Sequence, residues 1–331
     1  MEGHFIPRPW ARNPHIQTVL GSTKLRLTGI SQLTDTSKEM VINGVSGTRL
    51  LGYYSKQTVM QGRGLVTLIH GWEGSSDSTY ILSTSRYLYE KGYDIFRLNL
   101  RDHGNSHYLN EGLFHGALTE ETFQAVHSIA SLSHGAPYYI IGFSLGGNFA
   151  LRIALEHSRS EIPRLRHVFC VSPALDPYKA TLSIDTSLPI YRHYFLNKWK
   201  RSLKKKQSLF PHRYDFQDIL KEKTCMSLTQ AMMRYYPDFN DYHEYFKRYT
   251  LLGDSFLNLS VPVTVIASKD DPIVPVSDYY ELKKNQYFHL LMQDHGGHCG
   301  FLNFLPFECW YERKIGHILT EEKSLNDSAG S

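Results

Sequence analysis

The sequence predicts an α/β protein whose central sheet is mostly parallel and carries helices on both faces. From residue 64 onward, short apolar runs rich in β-branched and aromatic residues alternate with helical patterns, as in parallel sheets with crossover helices. Most of these runs end in a polar turn, and such sheets bind ligands beyond the carboxyl ends of their strands. The chain has 331 residues, which is enough for one large domain with an insertion.

Composition and charge narrow the class of protein further. The chain is 41% hydrophobic and 21% charged, with a formal net charge of +4, so we expect a globular protein without a nucleic-acid partner. No apolar run approaches the ~18 residues of a membrane-spanning helix, and the first ten residues lack the apolar centre of a signal peptide. The four cysteines have no C-x-x-C spacing, and the 17 histidines form no zinc-binding pattern. We therefore expect a cytoplasmic protein with reduced thiols and no metal or cofactor.

The beginning of the chain is expected to form an arm and the antiparallel start of the sheet. Residues 1–24 are punctuated by proline and asparagine, which predicts an irregular arm. Strands are predicted next at residues 24–31 and 49–55. The turn residues Asn43 and Gly44 lie between strand-like segments, which indicates antiparallel pairing at this end of the sheet.

The centre of the sheet is predicted from the alternation that follows. Glycine, proline or a polar turn bounds each element, as expected where strands and helices are separated by short loops. The predicted elements are strand 65–69, helix 79–91, strand 93–100, helix 120–132, a strand that begins at 138, helix 145–157 and strand 167–171.

The alternation stops at residues 176–248, where tyrosine and basic residues are frequent and the pattern is helical. We interpret this stretch as a helical lid inserted above the edge of the sheet. The predicted organisation is an N-terminal arm (1–24), a core (25–175 and 249–320) and the lid (176–248). After the lid the sequence predicts strand 261–267, helix 276–284, strand 287–292 and a final helix after Pro306.

A glycine-flanked serine is the strongest chemical signal in the chain. The segment Gly142-x-Ser144-x-Gly146 joins a buried strand to an apolar helix rich in small residues. At such a sharp turn the serine hydroxyl is exposed, and the glycines avoid collisions with the neighbouring strand and helix. The amide N–H of Leu145 would then point beside the serine oxygen, where it can stabilise negative charge. The pattern predicts that Ser144 is a nucleophile.

A serine nucleophile needs a base, and that base needs a third group to orient it. The chain supplies candidates at later strand ends in the order Ser…Asp…His. Asp270 and Asp271 are adjacent after strand 261–267, so spacing alone does not separate them. One helix and one strand later, His298 lies in a loop whose paired glycines allow it to fold back over the sheet edge. We expect His298 to be the base, with His295 as its competitor.

The turn after strand 65–69 is expected to supply a second donor to the oxyanion, the backbone N–H of Trp72. Its neighbour Glu73 has two interpretations. A glutamate followed by Gly74 and two serines more often caps the N-terminus of the next helix, and we favour this interpretation. The alternative is that Glu73 takes part in acid–base chemistry.

Five segments together resemble the YheT-like branch of the α/β-hydrolases (AB hydrolase type 4 esterases). One lies in the arm, and the other four are the turns that carry the candidate residues. The resemblance covers residues from about 5 to 320. The segments are Asn13-Pro14-His15-Ile16-Gln17-Thr18, His70-Gly71-Trp72-Glu73-Gly74-Ser75, Gly142-Phe143-Ser144-Leu145-Gly146-Gly147-Asn148, Asp271-Pro272-Ile273-Val274-Pro275 and Gly296-Gly297-His298-Cys299-Gly300-Phe301.

This resemblance implies an α/β-hydrolase fold with an inserted helical lid. It implies a triad of Ser144 as nucleophile, His298 as base and Asp271 as orienting acid, because members of this fold usually place the acid four residues before a proline, here Pro275. The implied activity is hydrolysis of carboxylic esters with short or medium acyl chains through an acyl-enzyme, without a cofactor. Some relatives transfer the acyl group to an alcohol, and some act on phospholipids.

The expected partner is therefore a small acyl ester, and three alternatives stay open. An alcohol O-acyltransferase and a phospholipase-type acyl hydrolase are alternative enzymes, and a hydrolase-fold binding protein without turnover is a third possibility. Residues 198–206 contain six cations in nine positions. Such a stretch is attracted to an anionic membrane surface or to an acidic substrate, or it forms a solvated helix face, and we expect the solvated face.

Overall fold

In the computed structural model, which describes residues 3–27, 30–44, 47–58, 62–304 and 307–329, eight strands form one central sheet. The strands are β1 (Ser37–Asn43), β2 (Arg49–Ser55), β3 (Leu65–Ile69), β4 (Asp94–Leu98), β5 (Tyr138–Phe143), β6 (Leu165–Val171), β7 (Val263–Ser268) and β8 (Phe288–Gln293). Their spatial order is β1-β2-β4-β3-β5-β6-β7-β8. The first two neighbouring pairs are antiparallel and the other five are parallel. The predicted α/β fold with a mostly parallel sheet is confirmed.

Helices and one small antiparallel pair complete the described part of the chain. The pair is β9 (Leu302–Phe304) with β10 (Phe307–Cys309). The α-helices are α1 (Pro14–Gly21), α2 (Ser31–Asp35), α3 (Thr79–Glu90), α4 (Thr119–Ala130), α5 (Leu145–His157), α6 (Pro177–Thr186), α7 (Pro189–Leu209), α8 (Cys225–Met232), α9 (Tyr242–Lys247), α10 (Ser277–Tyr280) and α11 (Trp310–Ala329).

The central strands are buried on both faces because helices cover each side of the sheet. In β3, Leu65 and Ile69 belong to a hydrophobic core that includes residues of α4 and α5. Val66 and Leu68 of the same strand belong to a second core, with residues of α3 and α11. Alternating side chains of one strand thus enter two different cores. This double burial explains why these strands are continuous apolar runs in the sequence.

The predicted strand at residues 24–31 is wrong. A 3₁₀ helix occupies Lys24–Arg26, and α2 follows it, while residues 28 and 29 lie outside the described chain. The Arg26 side chain explains the difference, because it is buried and pairs with Glu312 of α11 at 2.8 Å. This ion pair joins segments almost 290 residues apart in the chain, so the local sequence pattern does not reveal it.

The second half of the helix predicted at residues 276–284 is also wrong, since α10 has only four residues. The amide N–H of Lys283 donates to the Gly253 carbonyl, and Lys284 forms a β-bridge with Phe256. These contacts draw the backbone out of the helix. The other core elements predicted from residue 64 to β8 agree with the observed bounds to within about two residues at each end. The final helix, predicted to follow Pro306, begins at Trp310, because β10 occupies the three residues before it.

Between β6 and β7 the chain forms four α-helices, α6 to α9, which we call the helical insertion (residues 177–247). Its longest helix is α7, with 21 residues. Lys206 of this helix is buried and pairs with Asp102 at 2.7 Å, and it also donates to the carbonyl oxygens of His107, Asn110 and Gly112. Through this one ammonium group, α7 is fixed to the loop that follows β4.

Three further features are stated for the described residues alone. None of their helices is both long and apolar enough to cross a membrane. All four cysteines are free and buried. No group of three or more His, Cys, Asp or Glu side chains in these residues is arranged to hold a metal ion.

Candidate active site

Ser144 lies between β5 and α5 in a strained backbone conformation, with φ 53° and ψ −116°. A positive φ is unfavourable for serine, so the surrounding structure must impose it. A Cβ at Gly142 would lie 2.2 Å from the Gly146 carbonyl oxygen, and a Cβ at Gly146 would lie 2.3 Å from the Ile69 carbonyl oxygen. Only glycine fits at both positions, which is why the Gly-x-Ser-x-Gly pattern forms this turn.

Three side chains form a continuous chain of hydrogen bonds at this turn. The Ser144 hydroxyl lies 2.9 Å from His298 Nε2, and His298 Nδ1 lies 2.9 Å from Asp271 Oδ2. The other carboxylate oxygen of Asp271 accepts the amide N–H groups of Ile273 and Val274, which fix its orientation. Because Nδ1–H donates to the carboxylate, Nε2 is free to accept the hydroxyl proton of Ser144. The structure therefore brings together the three residues predicted as nucleophile, base and acid.

The competing candidates Asp270 and His295 face each other instead. His295 Nδ1 lies 3.5 Å from Asp270 Oδ2, and Asp270 Oδ1 accepts the amide N–H of Gly297 at 2.9 Å. This second pair holds the loop immediately before His298. Of the two adjacent aspartates, Asp271 is the one whose carboxylate is hydrogen-bonded to His298.

The N-terminal arm holds the loop that carries His298, a contact that the sequence analysis missed. Thr18 Oγ1 accepts the amide N–H of His298 at 2.9 Å. The fully buried Gln17 side chain accepts the N–H of Leu302 and donates to the carbonyl oxygen of the same residue. The signal for these contacts is the motif at residues 13–18. Its residue types do not reveal the partners that the motif contacts.

Leu145, one expected oxyanion donor, follows Ser144 in the chain, and Trp72, the other, lines both cavities beside the nucleophile together with Ser144. Within the described residues, neither N–H donates a hydrogen bond to a protein acceptor. The Trp72 ring stacks on Phe195, with centroids 5.4 Å apart and planes at 9°, and it meets the edge of Trp199 at 5.2 Å. Two aromatic side chains of α7 thus hold the turn that carries the Trp72 amide.

The interpretation of Glu73 as a helix cap is wrong, because α3 begins six residues later and Ser78 precedes it. The Glu73 amide N–H donates to Nε2 of His103, whose pKa burial lowers to about 4. Burial raises the pKa of the Glu73 carboxyl to about 8, and the charge of Lys198 opposes part of this rise. The carboxyl is therefore mostly neutral at pH 7, in a small void that Asp102 also lines.

A narrow cavity of about 80 Å³ extends from Ser144 beneath the helical insertion. Helices α6 to α9 all contribute to its wall, together with the turn after β3 and the loop before α4. The wall is mainly apolar and aromatic, and its largest side chains include Phe114, Ile184, Phe195, Trp199, Phe246 and Tyr249. We call this space the narrow cavity.

A second cavity of about 330 Å³, which we call the wide cavity, lies on the other side of Ser144. It is formed by α1, by the first half of α7 and by the turns after β3 and β8. His15 Nδ1 lies 2.9 Å from the Tyr191 hydroxyl, which joins α1 to α7. Of the two cavities, His298 lines the wide one, whereas Leu145 lines the narrow one. Ser144 and Trp72 border both.

The basic stretch at residues 198–206 is divided between cations that contact the protein and cations that are exposed. Four of its six cations donate to oxygens of the chain: Lys198 to Glu73, Lys200 to Glu222, Lys205 to Gly104 and Lys206 to Asp102. Arg201, Lys204 and Lys205 are exposed, as expected for a solvated helix face. That expectation is wrong for Lys198, Lys200 and Lys206, which fasten α7 to neighbouring loops.

Comparison with known proteins places these observations in a family. Residues 64–304 match the family described as alpha/beta hydrolase fold. Phospholipase ABHD3 of Mus musculus is 26% identical over 263 residues, which cover 76% of this chain and 62% of that protein. Monoacylglycerol lipase ABHD2 of Danio rerio is 26% identical over 320 residues, which cover 90% of this chain and 74% of that protein. The aligned part thus spans less than two thirds of the length of the mouse phospholipase.

Among solved structures, an esterase of Pyrococcus furiosus, Pf2001, superimposes with a TM-score of 0.54 at 15% identity. The superposition covers 86% of this chain and 92% of the esterase. At this identity the likeness concerns the fold alone. Since the family match extends over most of the chain and the observed sheet agrees with it, the protein belongs to the α/β hydrolase fold family.

Proposed function

We propose that the protein is a serine hydrolase of carboxylic esters with short to medium acyl chains. The observation that carries this proposal is the chain of hydrogen bonds from Asp271 through His298 to Ser144. A hydroxyl in this position can lose its proton to the imidazole as it attacks a carbonyl carbon. Asp271 holds the ring in the required tautomer and stabilises the imidazolium that forms.

In the acylation step, Ser144 Oγ forms a bond to the ester carbonyl carbon while its proton moves to His298 Nε2. The carbonyl oxygen becomes an oxyanion, which accepts the amide N–H groups of Trp72 and Leu145. The bond to the alcohol oxygen then breaks, and His298 donates its proton to that oxygen. An acyl ester of Ser144 and a free alcohol are the products.

In the deacylation step, water takes the place of the alcohol. The water oxygen attacks the acyl carbon while His298 accepts a proton from the water. The same two amides stabilise the second oxyanion. The bond to Ser144 Oγ breaks, the serine regains its proton from His298, and the carboxylic acid is released. Every step uses groups of this chain and one water molecule.

The position of His298 supports an assignment of the two halves of the substrate to the two cavities. His298 must protonate the leaving alcohol, and it lines the wide cavity, so we place the alcohol there. The acyl chain then occupies the narrow cavity, whose apolar and aromatic wall suits a hydrocarbon. The small volume of the narrow cavity supports short or medium acyl chains, and the helical insertion above it supports a role as a lid.

The names of the relatives support a proposal for the alcohol part of the ester substrate. Two relatives are called a phospholipase and a monoacylglycerol lipase, and both names describe esters whose alcohol part is a glycerol derivative. The wide cavity has room for such a polar, branched leaving group. We propose glycerol-based lipid esters as the substrate class and the YheT-like branch as the chain's place in the family. The free, buried cysteines support the proposed cytoplasmic location.

Initial rates on p-nitrophenyl esters of graded acyl length, with Ser144→Ala as the blank, test the proposed activity. We expect rates to rise from acetate, reach a maximum at a short or medium chain and fall for long chains. Wild-type rates equal to the blank at every length would contradict the proposal. Added ethanol at millimolar concentration separates the alternative reaction, since an acyltransferase would form mainly ethyl ester and a hydrolase mainly free acid.

A further inference from the structure

The mouth of the wide cavity is formed by apolar side chains that face solvent. Val19 of α1 and Ile190 and Tyr194 of α7 line this cavity, yet they are 43%, 56% and 50% exposed. Ile16 and Leu188 lie beside them on the same two segments, at 37% and 44% exposed, and they are outside the cavity wall. We call these five side chains the apolar rim.

Helix geometry explains why the rim is exposed. Ile16 and Val19 are three residues apart on α1, and Ile190 and Tyr194 are four residues apart on α7, so each pair shares one face of its helix. The other faces are packed against the protein, since Gln17 of α1 and Leu196 of α7 are buried. The exposed faces of the two helices therefore form an apolar surface that continues into the cavity containing Ser144 and His298.

The charge beside the rim is mainly positive. Asp185, three residues before Leu188, is an exception, and its two carboxylate oxygens accept the amide N–H groups of Cys225 and Met226. Residues 3–27 and 186–214, the two segments that include the rim, contain no Asp and no Glu. Arg12 precedes α1 and Lys24 follows it, and both are exposed. An apolar surface with a cationic border fits the apolar interior and the phosphate groups of a phospholipid bilayer.

The turn after β3 also reaches this mouth, through Ser78. Its neighbour Asp77 is exposed, but its carboxylate pairs with Arg97 at 3.1 Å. The guanidinium of Arg97 therefore balances the charge that the Asp77 carboxylate adds. The border that Arg12 and Lys24 form stays cationic.

We propose that the apolar rim docks the protein on the surface of a phospholipid bilayer. The inference rests on the proposed function, because a docked rim places the wide cavity against the lipid from which a glycerol-based ester would enter. The leaving alcohol returns through the same mouth. The membrane contact considered at residues 198–206 differs, since four of those six cations are engaged with oxygens of the chain.

Two double variants with equal charge changes test the docking. Ile16→Glu with Leu188→Glu alters the rim outside the cavity wall, and Val41→Glu with Leu257→Glu places the same charges on side chains of similar exposure, 41% and 43%, elsewhere. Binding is measured by co-sedimentation with vesicles of phosphatidylcholine and phosphatidylglycerol in a 4:1 ratio. We expect the rim variant to bind at least tenfold more weakly than wild type and the control variant to stay within about twofold.

Equal weakening in both variants, or a wild type that does not sediment with the vesicles, would overturn the docking proposal. Self-association of the wild type that the rim variant abolishes, seen by light scattering without lipid, would instead assign the surface to a second copy. Hydrolysis of soluble p-nitrophenyl butyrate is measured in parallel. Vesicle binding without hydrolysis would refute the proposed function alone, and hydrolysis without vesicle binding would refute the docking alone.

Discussion

The narrow and wide cavities meet at Ser144, but they are built from different parts of the chain. The narrow cavity is enclosed by the helical insertion, whose aromatic side chains close over the sheet edge. The wide cavity lies between the N-terminal arm and the first half of α7, and its mouth is exposed. The reacting groups between them come from neither region, since Ser144, Asp271 and His298 all follow strands of the sheet.

Because of this difference, we expect the groups that carry out the reaction to be separate from the groups that select the substrate. Changes to the groups that both cavities share should stop the reaction for every substrate. Changes within one cavity should alter the choice of acyl chain or of alcohol and leave the chemical step intact, except at a side chain that also holds the Trp72 ring, as Trp199 of the narrow cavity does. Three substitutions test this division, and a fourth tests the stability of the turn that carries Trp72. They are taken from the largest expected effect to the smallest.

The largest effect is expected at the carboxylate that serves both cavities. Asp271→Asn should lower kcat on p-nitrophenyl esters by about 10³- to 10⁴-fold, because the amide no longer selects the correct tautomer of His298. Asp270→Asn is the matched control, one residue away, and it should lower kcat by less than about tenfold, because Asp270 contacts the loop and not the His298 ring. A larger loss of kcat in Asp270→Asn than in Asp271→Asn would show that Asp270, and not Asp271, orients His298.

A substitution inside the narrow cavity should change acyl selectivity alone. Ala180→Leu adds three carbon atoms to the cavity wall, so the rate on octanoyl esters should fall by about tenfold relative to acetyl esters. Val19→Leu, in the wide cavity, should leave the ratio of the two rates unchanged. The ratio of kcat/KM values measures this effect, and equal ratios for the two variants would contradict the assignment of the acyl chain to the narrow cavity.

The border between the cavities can be loosened at Trp72. Trp199→Leu removes the edge contact with the Trp72 ring, so the oxyanion amide should be held less firmly. We expect kcat to fall by about fivefold with KM nearly constant, since the contact with the oxyanion exists only in the transition state. Trp10→Leu is the control, because Trp10 packs on Phe304 and lines neither cavity. A rise in KM with unchanged kcat would assign Trp199 to substrate binding instead.

The smallest effect concerns stability, at the carboxyl behind Trp72. The folded pKa of Glu73, about 8, lies above its ordinary value of 4.5. The neutral carboxyl therefore stabilises the fold fully below pH 4.5, and this stabilisation is lost as the pH rises toward 8. Because the side chain is partly exposed, we expect a loss of only about 1 kcal/mol between pH 6 and pH 8.

Urea unfolding at the two pH values measures this loss. Glu73→Gln cannot ionise. Its free energy of unfolding relative to that of wild type should therefore be about 1 kcal/mol higher at pH 8 than at pH 6. The control Glu120→Gln, at an exposed position, should have the same difference in unfolding free energy from wild type at both pH values. A Glu73→Gln variant whose stability follows the wild type at both pH values would contradict the account of this carboxyl.

The sequence was sufficient to predict the features that depend on local pattern. The turn at Ser144 requires glycine at two fixed positions, and the flanking strand and helix have clear apolar patterns, so all three could be located. The pattern also placed Asp270, Asp271 and His298 beyond later strands. It could not choose between the aspartates, because adjacent side chains differ only in the direction in which the backbone points them.

The features that were missed depend on contacts between distant segments. The buried pair of Arg26 with Glu312 replaces a predicted strand, and the contact of Thr18 with His298 joins the arm to the candidate site. Neither contact produces a periodic pattern in the sequence. The inward direction of Lys206 is similar, since a run of basic residues is expected to be solvated, and only the fold supplies its partners.

Labelling with a fluorophosphonate tests the central claim most directly, because this reagent reacts with a serine hydroxyl only when a base activates it. The account predicts one covalent adduct on the peptide that contains Ser144, no adduct in Ser144→Ala, and much slower labelling in His298→Ala. A wild type without an adduct, or an Ser144→Ala variant that is labelled as fast as the wild type, would contradict it.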